Sequence, residues 1–133
     1  MTTETVPDSE QILRNATLYH GVCSEARAAL LFALCSGQQS ATRIALVADP
    51  RRGLELAAEL DAYAAWSDQA TPLEIHHFPE DPPPDIDPKR RADRICDRLS
   101  VLSALLRPRE APQIIIATPE ALLGECPSKA DFT

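Results

Sequence analysis

The sequence predicts an α/β domain of three layers, with a mainly parallel sheet of about four strands held between helices. Two observations carry that expectation. The apolar runs 43–48 (Arg-Ile-Ala-Leu-Val-Ala) and 114–117 (Ile-Ile-Ile-Ala) are continuous rather than alternating, the pattern of strands covered on both faces. Each is followed at once by a helix start, Asp49-Pro50 and Thr118-Pro119, in which a capping side chain precedes a proline at the first helical position. The stretches between the runs carry apolar residues at helical spacing.

A chain of 133 residues is long enough for one domain with a real core and too short for two. Twenty acidic against thirteen basic residues give a net charge of −7, which disfavours free-standing DNA binding unless the basic residues gather on one face. Cys23, Cys35, Cys96 and Cys126 lie far apart, with neither a CxxC pair nor a histidine spacing that builds a zinc site. Reduced thiols and a cytoplasmic location are expected, since the acidic N-terminus has no apolar leader and no run approaches the ~20 residues of a membrane span.

Residues 1–15 are read as a flexible segment in which Ser9 to Asn15 form a short helix capped by Ser9. Thr17 to Gly21 is expected to be the first strand. A helix follows whose Ala26, Ala29, Leu30, Ala33 and Leu34 make one face, widened by Leu31 and Phe32, until Gly37 ends it. The second strand, 43–48, meets the Asp49-Pro50 corner and a helix through Leu54, Ala57, Leu60 and Ala64 to about Trp66. A hydrophobic strand ending in Asp also fits a magnesium-binding or phosphoacceptor aspartate, but the Asp-Pro pair already has a capping role. Leu73 to Phe78 is a third strand, and its His76-His77 pair points to opposite faces and cannot share one ion.

Residues 79–88 hold five prolines and four acidic residues, and form a stiff surface loop that is either a partner-facing feature or a linker. From Lys89 a helix buries Ala92, Ile95, Leu99, Leu102 and Leu106. Its Arg90, Arg91, Arg94 and Arg98 stand among Asp93 and Asp97, either as a solvated, salt-bridged face or as a phosphate- or partner-contacting one. Thr118, Pro119 and Glu120 then open a helix after the strand 114–117, and the chain is turn-like from Pro127.

The segment 17–28 has the order strand, turn, helix start, which invites comparison with a phosphate loop, GxxxxGK[ST]. Gly21 keeps the first glycine. Ala26 replaces the second glycine, Arg27 the lysine that reaches the terminal phosphates, and Ala28 the hydroxyl that holds magnesium, while Glu25 adds negative charge. Gly21 also suits an ordinary strand-to-helix turn. A cysteine-phosphatase loop built on Cys23 would need arginine at position 29, where Ala29 stands.

In succession, the loop position 21–28, the strand-Asp-Pro-helix, Pro83-Pro84-Asp85 to Pro88, Arg98-Leu99-x-x-Leu102 and the run 115–123 (Ile-Ile-Ala-Thr-Pro-Glu-Ala-Leu-Leu) resemble the first motor-like domain of superfamily-two helicases. More closely, they resemble the UvrB-like N-terminal module of bacterial transcription-repair coupling factors (Mfd). The resemblance spans residues 18–127 and implies a P-loop NTPase/helicase-like fold with a degenerate P-loop. It implies a scaffold in nucleotide excision repair, with no ATPase activity or cofactor of its own. ATP, UvrA and RNA polymerase engage the parent protein, and Arg98 and Thr118 mark possible positions of DNA or partner contact. Pro84 stands where the family has an aromatic residue. No DExx strand and no second motor domain are present, so residues 16–127 are expected to be a partial domain and 128–133 a tail toward a missing region. The family's layout places two further strands between the first strand and the other three. An exposed sheet edge, and self-association through it, are therefore expected. The alternative is a stand-alone α/β phosphate- or nucleotide-binding module.

Overall fold

The computed structural model describes residues 16–36, 41–68, 73–108 and 111–132. Its strands are β1 (Thr42–Leu46), β2 (Glu74–Phe78) and β3 (Gln113–Ala117), and its helices α1 (Ser24–Ser36), α2 (Pro50–Trp66), α3 (Pro88–Leu106) and α4 (Pro119–Leu123), followed by a 3-10 turn at Lys129–Phe132. The sheet is parallel throughout, in the order β1-β3-β2, with Ile115 of β3 flanked by Ile44 and His76. Helix α2 carries the chain from β1 across to β2 on one face, and α3 brings it back to β3 on the other. Right-handed crossovers give this arrangement when the direction along the sheet reverses.

Central strand β3 is buried along its whole length and feeds both cores. Ile114 and Ile116 meet Ala28 and Cys35 of α1 and Leu56 and Leu60 of α2. Ile115 and Ala117 meet Phe78, Val101 of α3 and Ala121 of α4. Each buried isoleucine contributes roughly 1.5–3 kcal/mol, so the Ile-Ile-Ile run holds the layers together. The caps form as their sequences suggest. Asp49 Oδ1 accepts from the Arg52 N–H at 2.8 Å, and Thr118 Oγ1 accepts from the Ala121 N–H at 3.2 Å. A third cap, Asp87 ahead of Pro88, starts α3 one residue before Lys89.

Four expectations are corrected. Thr17 to Gly21 forms no strand: residues 16–20 are exposed, Leu18 to 84%, and nothing in the sheet pairs with them, so the described sheet has three strands rather than about four. Strand β1 is covered on one face only. Ala45 and Val47 pack under α1 and α2, whereas Ile44 and Leu46 are 57% and 61% exposed, because α3 lies over β2 and β3 and leaves β1 bare. Two helix faces are also turned. Helix α1 buries Ala28 and Cys35, with Leu31 and Phe32 beside them, while Ala26 is exposed. Helix α3 buries Arg98 and Val101 and leaves Ile95, Leu99 and Leu106 36–42% exposed. The short helix at 9–15 and the stop at Gly37 lie outside the described residues. No helix among the described residues is long and apolar enough to cross a membrane.

Candidate functional site

Two helix starts bear on function. At the first, Gly21 adopts φ of 73°, a left-handed conformation that favours glycine, and turns the chain into α1, whose first bond runs from the Ala26 N–H to Cys23 O at 3.1 Å. A phosphate loop hangs between a sheet strand and a helix. Here the strand is missing, so the turn is not anchored at the end of the sheet. Ala26 is exposed and Ala28 is fully buried in the core, where a hydroxyl in its place would face Ile114 and Leu60 rather than a ligand. Arg27 borders a cleft of about 420 Å³ with Tyr19, His20, Leu30, Leu31 and Leu34. At the mouth of α1, hydrogen bonds from its own backbone and from the Ser24 hydroxyl hold the Glu25 carboxyl below the usual carboxylate range. A carboxylate therefore already occupies the helix end that would attract phosphate.

The second start is Thr118, at the carboxyl end of β3. The connections leaving neighbouring strands β1 and β3 run to opposite faces, which makes this the topological switch point, the place where open α/β sheets commonly hold ligands. Both polar side chains beside it are engaged. Asp49 caps α2, and Thr118, only 3% exposed, caps α4 while its hydroxyl donates to Glu80 Oε1 at 2.8 Å.

Arg98, 4% exposed, points inward from α3. Its Nη1 donates to Pro79 O at 2.6 Å and to Ala121 O at 3.3 Å, and its Nη2 to Glu125 O and Cys126 Sγ, each at 3.3 Å. Its Nε stands 3.2 Å from Asp81 Oδ1, and its guanidinium lies over the Phe78 ring at 4.3 Å from the centroid. Sequence reasoning singled out Arg98 and Thr118 but missed their partners Glu80, Asp81, Glu125 and Cys126. One signal was present: Arg98 sits three residues before Val101 and four before Leu102, on the face of α3 that meets the core.

The histidine pair divides as its alternation requires. His77 lies against Gly53 of α2, where burial pushes its imidazole below the ordinary 6.5, opposed in part by the charge of Asp97. His76, on the other face, stands 3.6 Å from Glu74. Burial likewise pushes the Cys35 thiol up, with Arg43 opposing. No group of three His, Cys, Asp or Glu side chains among the described residues is arranged to hold a metal ion. Comparison of the chain with protein-family models, curated proteins and solved structures finds no significant match.

Proposed function

We propose that this chain is a UvrB-like scaffold module of a cytoplasmic transcription-repair coupling factor. It serves nucleotide excision repair within the part of the parent protein that recruits UvrA, and it hydrolyses no ATP; translocation and RNA polymerase contact belong to other parts. The observation that carries this reading is the sheet order β1-β3-β2 with β1 outermost. In the helicase-like layout two further strands enter beside the strand of the first DNA-contact motif, which is β1 here. Ile44 and Leu46 are apolar and bare, and Ile44, Leu105 and Leu122 border a groove of about 130 Å³. A strand awaiting a neighbour and a covering helix presents such a surface. The same edge favours self-association at high concentration.

Deleting residues 16–127 from the coding sequence in cells is the test. The reading expects loss of the faster repair of ultraviolet lesions in the transcribed strand, measured by strand-specific lesion mapping. An unchanged strand preference refutes it. Arg27 on its cleft favours the second reading, a phosphate- or nucleotide-binding module. Under that reading, calorimetric titration with inorganic phosphate or adenosine monophosphate gives saturable heat that Arg27→Ala removes.

A further inference from the structure

We infer that Arg98 is a coupling latch: one buried guanidinium binds the proline-rich β2–α3 loop and the segment after α4 into a single unit, so that a displacement of either is transmitted to the other. Arg98 sits on α3, which Val101 and Leu102 fix against the sheet. From that fixed point its donors divide between two stretches far apart in sequence. Pro79 O and Asp81 Oδ1 take the loop side. Ala121 O, Glu125 O and Cys126 Sγ take the other.

A planar guanidinium has five N–H donors in a fixed fork, so its acceptors are placed relative to one another by one rigid group. Helix α4 has five residues and cannot be stable by itself. It is held at its start by Thr118 and Glu80, and near its end by Arg98. Gly124 adds a close fit, since a Cβ there would overlap Asp81 Oδ2 and stand 3.1 Å from Arg98 Nη2. Loss of acceptors on one side leaves a buried charge short of partners and weakens its hold on the other. Asp81 and Cys126, which share this one donor group, should therefore be energetically coupled.

The test is a double-mutant cycle of Asp81→Asn and Cys126→Ala on the full chain, read by hydrogen–deuterium exchange of residues 79–87 and 121–126. Each single substitution should speed exchange in the opposite segment as well as its own. Their combined effect should depart from the product of the single ones by about threefold or more, within the range of groups that share a partner. The cycle is repeated in Arg98→Met, or in Arg98→Lys if the methionine variant does not fold, and there the departure should shrink toward one. Effects confined to the substituted segment, multiplicative behaviour in the wild-type chain, or undiminished coupling in the Arg98 variants would overturn the inference.

Discussion

The two helix starts each carry a glutamate in the first turn and end up in different physical states. At α4, Thr118 follows the most buried strand of the sheet, and its hydroxyl is used twice, as cap and as donor to Glu80. At α1, Gly21 follows an exposed stretch that joins no sheet, and the helix is held only by the face that buries Ala28 and Cys35. A loop holds a phosphate when a strand fixes its backbone and the side chains supply charge. The α1 start lacks the strand and sets the Glu25 carboxylate near its cation Arg27, whereas the α4 start has the strand but has turned its polar groups inward.

The largest effect should come from repairing the degenerate loop. Ala28→Thr supplies the hydroxyl of a phosphate loop at a fully buried core position, and should cost about 2–5 kcal/mol through overpacking and an unpaired hydroxyl. Thermal melting measures it. At the other start, Thr118→Val keeps the shape but removes the cap and the partner of Glu80, at a cost of about 1–2 kcal/mol by urea unfolding. If Ala28→Thr proved harmless, the α1 start would have room for a ligand group, and the contrast between the two would fail.

How far the sequence reveals this contrast depends on the range of the interactions. The Asp49-Pro50 and Thr118-Pro119 corners are legible because a cap is a bond between a side chain and an N–H three residues on. The bare face of β1 is not, since Ile44 and Leu46 read the same whether or not a helix covers them. Thr17 to Gly21 reads as a strand because nothing local shows that no strand of the sheet pairs with it. Arg98 reads as surface because its charge outweighs its core position. Its acceptors lie 17 to 28 residues away in sequence, mostly backbone carbonyls that no composition marks.

Smaller effects separate the starts further. Glu25 has its folded-state acidity strengthened by hydrogen bonds to the ionised form, so its stabilising contribution is present above the unfolded value, near 4.5, and is lost as pH falls through the lower folded value. Glu25→Gln should therefore flatten the acid limb of a melting-temperature profile below pH 4.5 and leave the neutral region alone. A profile unchanged by the substitution would remove Glu25 from the account of the α1 start.

The central claim, that the Gly21–Ala28 loop holds no nucleotide, is tested most directly by titrating the chain with fluorescent ATP and magnesium. No saturable binding is expected at tens of micromolar, roughly −6 kcal/mol of affinity. Saturable, magnesium-dependent binding that Arg27→Ala abolishes would contradict it.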